Sequence, residues 1–155
     1  MIVTTYSERL YVPLRWWVQG VMFVASLWLA LIVAVPEPWA WSIAGAILAL
    51  LALAFVAYGS AQISVRDGEL YAGPARIDGR WLGAVEALDE AAARRIAGQD
   101  ADVRAFLLMR PYLKRAVRIE ITDPADPAPY WLVSTRRPDA LAAAVRSLTE
   151  TSSDR

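Results

Sequence analysis

The sequence predicts an α+β membrane protein, with two apolar helices leading into a small antiparallel β domain that an amphipathic helix finishes. Two long runs without a charged residue lie near the N-terminus, short alternating segments punctuated by turn residues fill the second half, and one helical stripe ends the chain. The length of 155 residues suits one small folded domain beyond a membrane anchor.

The first uncharged run is residues 16–35 and the second core run is residues 39–60. At 1.5 Å per residue each makes a helix of ~30 Å or slightly more, the thickness of the hydrocarbon layer. Trp16, Trp17, Trp39, Trp41 and Tyr58 fall at the run ends, where a ring is buried and its polar tip reaches the headgroups. Pro36, Glu37 and Pro38 separate the runs as a tight turn. Arg9 and Arg15 precede the first run, Arg66, Arg76 and Arg80 follow the second, and the turn has no basic residue. The positive-inside rule then places both termini in the cytoplasm and the hairpin in the inner membrane. A cleaved signal peptide over residues 1–35 is the rival reading, but its apolar core is usually ~7–15 residues and no second span follows it. Neither span holds an ionisable residue, which speaks against an ion path. Small residues repeat every fourth position at Ser26, Ala30 and Ala34, at Ala40 and Ala44, and at Gly45 and Ala49, a spacing that lets the two helices approach closely.

From residue 61 the composition becomes that of a soluble domain. Residues 62–66 alternate polar and apolar, Asp67-Gly68 is a hairpin turn, and residues 69–73 return. Further strands are expected at 75–77, 81–88, 105–110, 116–122 and 130–135, with a short helix over 89–98 capped by Asp89 and Gly98. Pro138 suits the first turn of a last helix whose stripe is Leu141, Val145 and Leu148. About seven short strands closed by such a helix match a pleckstrin-homology-like barrel; an open sheet with the helix on one face fits the same periodicity. The expected division is a cytoplasmic segment 1–15, a transmembrane hairpin 16–60, a cytoplasmic β domain 61–148 and a disordered tail 149–155.

Several stretches resemble a known family: residues 6–13, the pair Trp16-Trp17, and residues 122–138 with their PYWLVSTRRP segment. The family comprises bacterial two-span membrane proteins and is catalogued as domain of unknown function 3093. The resemblance implies an integral membrane protein with a small cytoplasmic domain, and brings no activity, cofactor or catalytic residue with it.

The chain has neither cysteine nor histidine, which excludes thiolate chemistry and removes the commonest base and metal ligand. Sixteen basic and sixteen acidic residues cancel, so nothing global points to nucleic acid. No phosphate-cradling loop and no nucleophile elbow occurs. Asp123 with Asp126, and Asp100 with Asp102, are the carboxylate pairs that a metalloenzyme would need, and both sit where aspartate commonly bonds its own turn. No cofactor and no metal is therefore expected, and the leading reading is a non-enzymatic protein that offers its domain to a protein partner. The alternative is recognition of an anionic lipid headgroup or small anion by Arg110, Lys114, Arg115 and Arg118. Arg136 and Arg137, beside Ser134, Thr135 and the first N–H groups of the last helix, extend that candidate site.

Overall fold

Residues 14–59 have no polar face, and they fold as two helices. The computed structural model describes residues 4–153. Helix α1 spans Leu14–Ala34 and α2 spans Glu37–Gly59, so both are long and apolar enough to cross a membrane. The turn between them is shorter than the three residues expected. Glu37 and Pro38 already belong to α2, because proline's missing N–H costs nothing in a first helical turn and a carboxylate suits the positive helix end. Gly20 faces Leu51 so closely that a Cβ there would lie 2.5 Å from Leu51 Cδ2. The edge of Trp17 meets Phe55 at 5.2 Å, and Trp28 packs on Trp41 at 4.8 Å. Of the small-residue repeats only Ala40 and Ala44 lie in the seam; Ser26, Ala30, Ala34, Gly45 and Ala49 face outward, since a left-over stripe on either helix has no facing neighbour. The hydroxyls of Ser26 and Ser42 donate to the carbonyls of Met22 and Pro38 four residues earlier, so each is satisfied within its own helix.

The remaining described residues form a second unit. Strand β1 is Thr4–Arg9, β2 Gln62–Arg66, β3 Glu69–Ala72, β4 Ala75–Asp78, β5 Leu82–Leu88, β6 Phe106–Leu108, β7 Ala116–Ile121 and β8 Tyr130–Ser134. Helix α3 is Glu90–Ala97 and α4 is Pro138–Ser153, and a 3-10 turn covers Gly79–Trp81. The eight strands form two four-stranded sheets, ordered β1-β2-β3-β4 and β5-β7-β8-β6. Neighbours are antiparallel except β6, which lies parallel to β8 and departs from the antiparallel expectation.

The unexpected strand is β1. Its Thr-Thr-Tyr-Ser-Glu-Arg sequence shows no apolar face, and it forms because β2 offers a free edge: Arg9 pairs with Gln62 and Glu8 with Ile63. Leu10, fully buried, continues it and donates its N–H to the Ala61 carbonyl at 2.9 Å. Between β2 and β3 the turn residues Asp67 and Gly68 have φ of 52° and 83°, the left-handed pair that a two-residue hairpin demands.

Ile63, Val65 and Leu70 of the first sheet, Val117, Ile119 and Val133 of the second, and Leu141, Val145 and Leu148 of α4 share one core. The helix continues past its expected end at Leu148 to Ser153, since Gly79 lets it come close: a Cβ on Gly79 would lie 2.8 Å from Leu148 Cγ and 2.6 Å from Ser152 Oγ. The segment expected to be disordered from 149 is thus helical as far as the described residues go, and 154–155 lie outside them. Helix α3, capped by Asp89 accepting from the Ala92 N–H, covers the outer face of the second sheet through Ala93, Ile96, Leu88, Ala116, Tyr130 and Leu132.

Because Leu141 is wholly enclosed, Leu141→Ala should destabilise the strand unit by about 2–5 kcal/mol. Ala140→Ser, on the exposed side of the same helix, should move it by less than about 0.5 kcal/mol. Denaturant unfolding of the two variants in detergent checks the difference.

Candidate functional site

At one end of the strand unit four stretches meet: the end of β1, the loop before β7, the end of β8 and the first turn of α4. The register shows why, since Arg9 pairs with Gln62 while Ser134 pairs with Ala116 and the Thr135 N–H bonds the Arg115 carbonyl. Tyr112 joins the loop to β1 by donating its hydroxyl to the Leu10 carbonyl.

The centre of this junction is Glu8, whose side chain is only 10% exposed. Its Oε2 accepts from the Tyr6 hydroxyl at 2.7 Å and from the Thr135 hydroxyl, and its Oε1 accepts from the Arg136 N–H at 2.9 Å. The Arg136 guanidinium stands 3.8 Å from the same carboxylate and donates to the Arg9 carbonyl at 3.1 Å. Thr135 Oγ1 in turn accepts from the Arg137 N–H at 3.0 Å, and the Arg137 carbonyl receives Leu141 N–H as α4 begins. Of the 134–137 segment, the Thr135 hydroxyl and the Arg136 N–H hold the chain's own carboxylate, Glu8, while Ser134 Oγ accepts from the Arg110 N–H instead.

This surrounding moves the Tyr6 hydroxyl, which is pushed up to about 12. Burial is the main cause, because the phenolate would lose its water; the hydrogen bond to Glu8 and the carboxylate charge act in the same direction, against Thr135 and Arg137.

The six basic residues singled out in the sequence do not form one cluster. Arg110, Arg115, Arg136 and Arg137 collect around the end of β8, where the Arg110 N–H donates to Ser134 Oγ at 3.1 Å. Lys114 reaches away to Glu90 at the start of α3, 3.4 Å distant. Arg118 lies on the outer face of β7 with its guanidinium 4.7 Å from the Tyr130 ring centre. Three of the four paired carboxylates bond their own turns, and the fourth, Asp100, stands 3.4 Å from the Arg95 guanidinium. Asp123 accepts from the Ala125 N–H and Asp126 from the Ala128 N–H, each at 2.8 Å. Asp102 accepts from the Arg104 backbone and guanidinium, whose hydrogen bonds hold its carboxyl below the usual range. Among the described residues no three acidic side chains come together as a metal site would require.

A family model described as "Protein of unknown function (DUF3093)" matches residues 5–145. The chain belongs to the DUF3093 family. Comparison with curated proteins and with solved structures found no match. In this DUF3093 chain the matched region begins within β1 and takes in Tyr6 and Glu8, the two junction residues that sequence reasoning passed over as site residues. One signal was available: Glu8 is the sole acidic residue ahead of the first apolar run.

The raised Tyr6 value makes the stability of this chain sensitive to alkali. The unfolded phenol titrates near 10.0 and the folded one at about 12, so the folded state holds the proton more tightly. That stabilisation is complete below pH 10 and is lost as pH rises through about 12. Stability against unfolding, measured across this range, should fall more steeply with rising pH for the natural chain than for Tyr6→Phe. Replacing Glu8 by Ala strands the Thr135 hydroxyl and the Arg136 N–H and should cost about 1–3 kcal/mol in the same assay.

Proposed function

We propose that the chain is a non-enzymatic integral membrane protein: α1 and α2 cross the bacterial inner membrane as a hairpin, and the strand unit is a pleckstrin-homology-like domain offered to a protein partner in the cytoplasm. The observation that carries the reading is the outward surface of the hairpin. Only 6% of the most apolar stretch of α1 and 11% of that of α2 is buried, while Phe23, Val33, Leu50 and Leu53 point away from the other helix. A core helix of a soluble protein is covered by protein; these side chains need lipid instead. The basic residues on both flanks of the hairpin, against none in its turn, support termini on the cytoplasmic side.

The homology-like reading of the strand unit rests on two sheets of short strands around one core with a C-terminal helix over it. The eighth strand and the parallel β6 are additions to that plan. For the partner, the supporting feature is the free edge at β6. Outside residues 11–60, Val103 and Leu107 are the described large apolar side chains most exposed, at 100% and 42%, and they stand before and within this edge strand. An edge strand with apolar side chains beside it suits addition of a partner segment.

Alkaline carbonate should leave the chain in the vesicle pellet, and a reporter fused after Arg155 should be active only in the cytoplasm. A photo-crosslinker near residue 107 should capture one discrete protein in cells. Val103→Glu with Leu107→Glu should cut that product at least about tenfold while changing stability by less than about 0.5 kcal/mol. Extraction by carbonate, or a crosslink unaffected by the double variant, would sink the corresponding half of the proposal.

A further inference from the structure

The charges of the chain cancel, but the fold sorts those of the strand unit between its two ends. At the end where Arg9 pairs with Gln62, the side chains of Arg9, Arg115 and Arg137 are exposed and join no ion pair among the described residues. The acids there are largely engaged: Glu8 in the junction, Glu90 with Lys114 and Arg94, and Asp89 as the cap of α3, with Asp139 left in solvent. The opposite end holds the Asp67-Gly68 turn and the connection from β7 to β8, brought together by the 3-10 turn, whose Gly79 N–H bonds the Gly68 carbonyl and whose Trp81 carbonyl accepts from Thr122. Five acidic groups gather at this end, Asp67, Glu69, Asp78, Asp123 and Asp126, against two arginines: Arg80, 3.5 Å from Asp78, and Arg66, opposite Glu69 in the strand register.

The chain leaves the strand unit at Leu10 and returns at Ala61, and both lie at the arginine end. We propose that this end docks on an anionic lipid surface, with Arg9, Arg115 and Arg137 against the phosphate headgroups. The inference rests on the membrane reading above and deepens it. The three positive charges come from three separate elements, a spread that suits a sheet of headgroups better than one small anion, and each charge near such a leaflet contributes about 1 kcal/mol. The acidic end is then turned from the leaflet, which repels it.

The natural chain lacks cysteine, so one fluorophore can be placed at will. The intact protein, labelled through Pro111→Cys in the arginine-end loop or through Ala125→Cys at the acidic end, is reconstituted into vesicles whose headgroups carry a spin-label quencher. Quenching at 111 is expected in vesicles containing phosphatidylglycerol but not in phosphatidylcholine alone, and about 0.5 M salt should relieve it. The label at 125 should stay unquenched in both. Changing Arg9, Arg115 and Arg137 together to Gln should lower the docked-to-undocked ratio by about a hundredfold, and changing them to Lys should preserve docking. Equal quenching in both lipids, quenching at 125 rather than 111, or loss of docking in the Lys variant would overturn the inference. Carbonate treatment of the same vesicles separates the two failures: an extracted chain refutes the membrane reading, and a retained but unquenched chain refutes the docking alone.

Discussion

The first sheet depends on a pairing between strands that are far apart in the chain. Strand β1 meets β2 across residues 10–61, and those residues are the two apolar helices. Closing a flexible loop of that length costs about 3–4 kcal/mol in chain entropy. A helical hairpin lowers that cost, because a chain that goes out along one helix and returns along its neighbour delivers its ends side by side. The Gly20–Leu51 approach and the ring contacts of Trp17 and Trp28 hold the two helices together. The hairpin therefore serves the sheet as an oversized β-turn, and Leu10 bonded to Ala61 marks its closure.

From that pairing the junction at Glu8 follows. With β1 in register, Glu8 arrives beside Thr135 and Arg136 and gives a carboxylate to a hydroxyl and an N–H of the loop that leads into α4. Tyr6 and the Arg136 side chain complete the arrangement. The last helix is thus tied both to the core through Leu141 and Val145 and to the first strand through its leading loop. What remains outside this network at the same end is a positive excess, Arg9, Arg115 and Arg137 against Asp139.

Much of the architecture was readable from local pattern. The apolar runs announced α1 and α2, Asp89 and Gly98 bounded α3, Asp67-Gly68 marked a hairpin, and the alternation of Val117, Ile119 and Ile121 made β7 plain. Strand β1 was hidden because its residues have no apolar period; its conformation comes from a partner more than fifty positions later. The parallel placement of β6 was hidden for the same reason, as direction is set by a neighbour and three residues hold no sign of it. At the candidate site, the β7 alternation already set Arg118 on its own face, whereas the turn of Lys114 toward Glu90 needed the fold. Position in a strand decides the face, and Arg118 takes the side opposite Val117 and Ile119. The separation of positive and negative ends was invisible in a chain of zero net charge, since it arises only when turns from different parts of the sequence are gathered.

The position of β1 also has a bearing on biosynthesis. A ribosome makes this strand ahead of both long helices, and its edge partner follows only after they have been completed. Until then Tyr6 and Glu8 have no Thr135 to meet and Leu10 has no enclosure. Assembly of the nascent chain cannot finish before its hairpin is whole, so an arrested or truncated product ending within α2 would carry an orphan strand that a protease can recognise.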